Sequence, residues 1–188
     1  MNRKCLILVE GKADKKFIED YIKYHYNNRN IIIEINNGRD FNSNKIINIQ
    51  KYIDDNYKLI VIFDADNDIN QSISNIKINL KNYNLDDKDI FLFPNNKDNG
   101  NLENLLINIA VRKEIIYCFD NYIKCIKSLE NTNMPINKSK IYAYLDSIKG
   151  YDKNKIKEEK RDYLNKEIWD ISNDFLIPLK EFLKKYFI

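Results

Sequence analysis

Hydrophobic and polar positions along this chain follow two rhythms. Four short stretches are almost wholly apolar: Cys5–Val9, Ile31–Ile35, Leu59–Phe63 and Ile90–Phe93. Such runs, rich in β-branched side chains, suit strands of a parallel sheet buried on both faces. Between them apolar residues recur at helical spacing. Phe17, Tyr21, Ile22 and Tyr24 do so within Ala13–Tyr26; Ile46, Ile47, Ile49 and Ile53 mark a second helix, and a third is expected from Ile69 to Tyr83. The βαβαβαβ order predicts an α/β fold: an open, mainly parallel sheet of about four strands flanked by helices, with right-handed crossovers. After Pro94 the strand pattern fades. Helices are expected over Asn101–Arg112, Lys113–Leu129, Lys138–Ile148, Lys155–Asp170 and Phe175–Phe187, with breaks at Pro135 and Pro178. This reading divides the chain into a core over 1–112 and a helical C-terminal extension over 113–188 packed upon it.

Composition narrows the chemistry. In 188 residues there is one histidine, His25, expected to be a surface or packing residue. A Ser-His-Asp triad would have to use it, and a His-rich zinc site is excluded. Cys5, Cys118 and Cys125 form no CxxC pair and read as reduced thiols of a cytoplasmic protein; Cys118 and Cys125, seven apart on one helix, are expected to share an inward face. No apolar run is long enough to span a membrane. A net charge of +3 permits a nucleic-acid partner without demanding one. With only four glycines, their positions are informative: Gly11, Gly38 and Gly100 follow predicted strands, and Gly150 lies between C-terminal helices.

Ligands of open α/β sheets bind beyond the carboxyl ends of the strands. The first strand runs into Glu10-Gly11, the third into Asp64-Ala65-Asp66, and the fourth into the loop from Pro94 to Glu103. If the first and third strands are neighbours, Glu10, Asp64 and Asp66 meet at one pocket, with alternate residues leaving a strand on the same side. Crowded carboxylates repel one another unless a cation neutralises them. Oxygen ligands without His or Cys suit Mg²⁺ or Mn²⁺.

The segments Leu6-Ile7-Leu8-Val9-Glu10-Gly11-Lys12-Ala13-Asp14 and Val61-Ile62-Phe63-Asp64-Ala65-Asp66 resemble the two signature motifs of the Toprim domain, found in primases, topoisomerases, maturation ribonucleases and OLD-type nucleases. The resemblance covers about the first 110 residues. Phe91 to Glu103, Cys118-Phe119-Asp120 and Lys138 to Leu145 further resemble an uncharacterised family of small stand-alone Toprim proteins. It implies that Glu10 acts as general acid/base or metal ligand, and that Asp64 and Asp66 bind metal. By similarity to OLD-type nucleases, Asp14 and Glu103 would complete a site for one or two ions, although Asn101 replaces the usual aspartate before Leu102-Glu103. Lys138 or Lys140 would counter charge on the phosphate.

The resemblance thus implies metal-dependent hydrolysis of nucleic-acid phosphodiesters, in DNA or RNA, with a role in mobile-element defence or repair. A separate partner ATPase is compatible with it. The alternative is a non-catalytic Toprim module that binds nucleic acid or protein. A topoisomerase or primase would need further domains for which the sequence shows no sign. Gly11, Lys12, Arg39 and Lys97 are candidate phosphate contacts, though GxxxxGK[ST] is absent and a P-loop is excluded. Each marked residue also has a structural reading: Gly11 and Gly38-Arg39-Asp40 as turns, Asp14 and Glu103 as first-turn acids, and Asp68 as a helix cap.

Overall fold

The computed structural model describes residues 4–26, 30–36, 38, 43–148 and 150–187, with backbone alone for 43–47. Four parallel strands, β1 (Cys5–Val9), β2 (Ile31–Ile35), β3 (Lys58–Asp64) and β4 (Ile90–Phe93), form one sheet in the order β2-β1-β3-β4. Cys5 lies opposite Ile31 on one side and Lys58 on the other, which brings the carboxyl ends of β1 and β3 level with each other. The helices α1 (Lys12–His25), α2 (Ser43–Asp54) and α3 (Ile69–Asn79) alternate with the strands. The α/β class, the strand count and the parallel sheet expected from the apolar runs are all present.

β1, β3 and β4 are continuous in hydrophobicity because both their faces are covered, whereas the edge strand β2 is half-buried and includes Glu34. Cys5, Ile7 and Val9 pack with Phe17 and Tyr21 of α1, while Leu6 and Leu8 join Ile49 and Ile76 on the other face. At about 25 cal/mol per Å² of apolar surface buried, this two-sided burial is what commits the run to a central strand.

Four helices follow: α4 (Leu102–Ile109), α5 (Lys113–Lys127), α6 (Asn137–Asp146) and α7 (Ile177–Phe187). Side chains from α4, α6 and α7 share the core cluster that contains α1 and one sheet face. The expected helix over Lys155–Asp170 is absent. Short 3₁₀ turns at Lys153–Lys155 and Glu158–Lys160 and irregular chain replace it. This segment is held by burial of Arg161, Tyr163, Ile168 and Trp169, not by helical periodicity. Tyr144 and Trp169 pack at 5.3 Å, the Tyr144 hydroxyl donates to Ile168 O at 2.6 Å, and Tyr163 N donates to Asp20 Oδ2 at 3.0 Å. Pro178 stands in the first turn of α7, where a missing N–H is tolerated, instead of marking a break.

His25 packs against Tyr21 and Tyr24, as expected of a packing residue. Cys5 is buried, but Cys118 and Cys125 are exposed. They share a face of α5, and that face is the solvent side; Ile116 is the buried position of this helix. Among the described residues no helix is long and apolar enough to cross a membrane.

The last helix is tied to the sheet by a buried acid. Asp89, with no exposed surface, accepts from Lys58 Nζ at 2.5 Å, from the Tyr186 hydroxyl at 2.8 Å and from Asp86 N at 3.2 Å. Tyr186→Phe deletes one donor to a buried carboxylate and is expected to lower unfolding free energy by about 1.5–3 kcal/mol. Urea denaturation would measure it, and an unchanged midpoint would show that water or Lys58 alone satisfies Asp89.

Candidate functional site

The carboxyl ends of β1 and β3 open into a cleft of about 240 Å³. Each acid reaches it by a distinct local device. Glu10 leaves β1 directly, and the Gly38 N–H donating to Glu10 O at 3.1 Å brings the end of the β2 loop to the same rim. Gly11 joins strand to helix, and its N–H donates to Asp14 Oδ2 at 2.8 Å. A Cβ at Gly11 would lie 3.1 Å from that oxygen, so a side chain there would crowd Asp14. Asp64 ends β3 and accepts from the Leu102 N–H at 3.0 Å, which docks the first turn of α4 against the strand. Glu103 follows in that turn. Asn101 and Asn104 cap it reciprocally, Asn101 Oδ1 accepting from Asn104 N at 3.1 Å and Asn104 Oδ1 from Asn101 N at 3.0 Å. Gly100 precedes this cap with φ +142°, and a Cβ there would stand 2.7 Å from Asn104 Oδ1. Only glycine fits at that approach.

Glu10, Asp14, Asp64 and Glu103 therefore line one cleft. Their proximity shows in their acidity. Burial, and then the charges of Asp14, Glu10 and Glu103, push Asp64 up to about 9 against the opposing Leu102 N–H. Asp14 rises to about 7, first through burial and then through the charge of Glu10, although the Gly11 N–H stabilises its ionised form. The two groups titrate as a pair and hold protons at neutral pH that isolated carboxyls have released. The donor atoms are all oxygen, which matches a hard divalent cation such as Mg²⁺ or Mn²⁺. Among the described residues no three or more His, Cys, Asp or Glu side chains stand as a preassembled metal cage. Asp14 and Asp64 each direct a carboxylate oxygen at a backbone N–H, so ion entry would require these side chains to adjust.

Cations face the acids. Lys12 and Lys138 line the cleft, and Lys138, in the first turn of α6, forms an ion pair with Glu158, which also lines it. Gly11 and Lys12 thus stand where a phosphate contact was expected. Glu158 escaped the sequence reading: within Lys157-Glu158-Glu159-Lys160-Arg161 it looks like part of a solvated charge run. No local signal marks it.

Other expected residues lie elsewhere. Asp66 is exposed and does not line the cleft. Its φ of 51° breaks the extended geometry that would have put it beside Asp64, and its N–H donates to Gly100 O at 2.7 Å. Lys140 is two residues from Lys138 and so on another face of α6; its Nζ meets Asp120 Oδ1 at 2.5 Å. Of the two lysines, Lys138 lines the cleft and Lys140 does not. Lys97 is exposed in the loop after β4, away from the cleft, its N–H donating to Asn95 Oδ1 at 3.1 Å. Arg39 and Asp40 fall outside the described residues. Asp68 caps α3, accepting from Asn70 N and Gln71 N.

The raised pKa of each carboxyl carries a sign for stability. Between the ordinary carboxyl value of 3.8 and about 9, the folded chain retains protons that the unfolded chain has lost. Stability of the metal-free protein therefore falls as pH rises through this window and recovers on acidification. Asp64→Asn preserves an acceptor for the Leu102 N–H and removes the charge. We expect it to raise the melting temperature at pH 8 and flatten the pH slope. A variant melting below wild type at pH 8 would contradict this account of the cluster.

No curated protein and no solved structure matches the chain. A family model, that of a protein of unknown function termed DUF3226, matches residues 4–188. Covering both the acidic cleft and the C-terminal segment that walls it, this match makes the chain a member of the DUF3226 family.

Proposed function

We propose that this protein is a Toprim-type nuclease that hydrolyses nucleic-acid phosphodiesters with Mg²⁺ or Mn²⁺ bound in the acidic cleft. The observation that carries the reading is the convergence of Glu10, Asp14, Asp64 and Glu103, two of them with strongly raised pKa, opposite Lys12 and Lys138. Carboxyls in this state discharge their mutual repulsion on a cation. One or two ions held there would supply Lewis-acid polarisation of the phosphoryl oxygen and hydroxide near neutral pH.

The chain's own groups divide the remaining work. Glu10, next to Gly11 at the end of β1, would exchange a proton with the attacking water or the leaving oxygen. Lys138 would counter negative charge growing on the phosphate, and Lys12 and Gly11 would contact a neighbouring phosphate. Roles in mobile-element defence or repair, and association with an ATPase, belong to the same proposal through the Toprim resemblance alone.

Two measurements test it. Mn²⁺ at about 100 times its dissociation constant should stabilise the protein by about 2.7 kcal/mol, and Asp64→Asn should remove most of that gain. A melting temperature indifferent to Mn²⁺ would discard the metal site.

Labelled single- and double-stranded DNA and RNA incubated with Mn²⁺ should be cut. Glu10→Gln is expected to slow cutting by about 10²–10⁴-fold. Tight binding without cutting would instead favour the non-catalytic module.

A further inference from the structure

Helix α6 and the turn at 158–161 are joined at two points on one helical face. Lys138 pairs with Glu158, and one helical turn later the ring of Tyr142 lies 5.1 Å beneath the guanidinium of Arg161. Arg161 is fully buried. Its Nε donates to Ile156 O at 3.2 Å, its Nη1 and Nη2 make no well-formed hydrogen bond, and the Tyr163 hydroxyl lies beside it. A buried guanidinium is expensive to keep, and lipophilic residues of that volume pack at lower cost. What this one does is fix the plane of the turn against Tyr142, and that turn presents Glu158 to the cleft.

Lys138 meanwhile has two competing partners. Glu158 holds it directly, and Glu103, lining the same cleft, is a weaker influence from the acidic wall. An ammonium drawn onto that wall would occupy the place of the divalent ion. We propose that Glu158 and Arg161 are positioning residues: Glu158 keeps Lys138 off the carboxylates and directed at incoming phosphate, and Arg161 anchors the turn carrying Glu158. The inference rests on the nuclease reading for the phosphate, but not for the contact itself.

Two readouts separate the inference from that reading. In metal-free protein, reductive ¹³C-methylation labels the lysines, and the Lys138 signal is identified by its loss in Lys138→Met. Glu158→Gln and Arg161→Lys, which retains charge but not the planar guanidinium, should each move this signal. A signal unmoved in both overturns the proposal, whatever the chain does with metal or nucleic acid.

Calorimetry with Mn²⁺ alone gives the second readout. Glu158→Gln should weaken Mn²⁺ binding by about 10-fold, as loss of a group supporting a metal site does. Adding Lys138→Met should restore the wild-type affinity, because the internal competitor is gone. A double variant as weak as Glu158→Gln would make Glu158 an ion ligand in its own right and overturn its assignment as a positioning residue. Cutting of nucleic acid enters neither measurement, so an inactive wild type would sink the nuclease reading alone.

Discussion

Repulsion among Glu10, Asp14, Asp64 and Glu103 is the constraint around which the rest of this structure is organised. A fold left to its own stability would not gather four carboxyls at the ends of adjacent strands. They are held there by features with other purposes. The adjacency of β1 and β3 comes from burying continuous apolar strands on both faces. The Gly11 and Leu102 amides then lend partial positive charge to Asp14 and Asp64. Free energy from the core thus maintains a local arrangement that is unfavourable by itself, a pattern that clusters at functional sites.

The C-terminal half is part of that arrangement. Its aromatic residues fill the same core as α1, and Asp20 of α1 accepts from Tyr163 at the end of the Arg161 turn. The boundary near residue 112 drawn from sequence patterning therefore separates two kinds of sequence more than two units of packing. The acids come from the first part; Lys138 and Glu158, the opposite wall, come from the second. Neither part alone encloses the cleft.

How much of this was legible in the sequence varied with the physics of each region. β1 and β4 ended where their apolar runs ended, because a strand buried on both sides tolerates little else; half-buried β2 accommodates Glu34 within its run. Glu10 and Asp64 could be named in advance because strand ends have fixed places in an α/β sheet, whereas Asp14 and Glu103 were implied by the Toprim resemblance and not by their place in a first turn. Asp66 could not be placed correctly, since a single left-handed residue cancels the alternation on which its placement relied. The helix expected over Lys155–Asp170 is absent because the buried residues of that segment follow no period; they answer to partners distant in sequence. Spacing told that Cys118 and Cys125 share a face of α5, but the face expected to turn inward is the one that meets solvent.

Those two thiols have a geometric relation with its own outcome. Seven residues of helix separate their backbones by about 10.5 Å along the axis, well beyond the reach of a disulfide while α5 stays helical. Both are exposed to solvent. Oxidant that reaches this helix therefore has no intrachain bridge to close between them. It can form sulfenic acid at either position or link one molecule to another, so protein handled in air would accumulate covalent dimers and chains, while the acidic cleft would play no part in that loss.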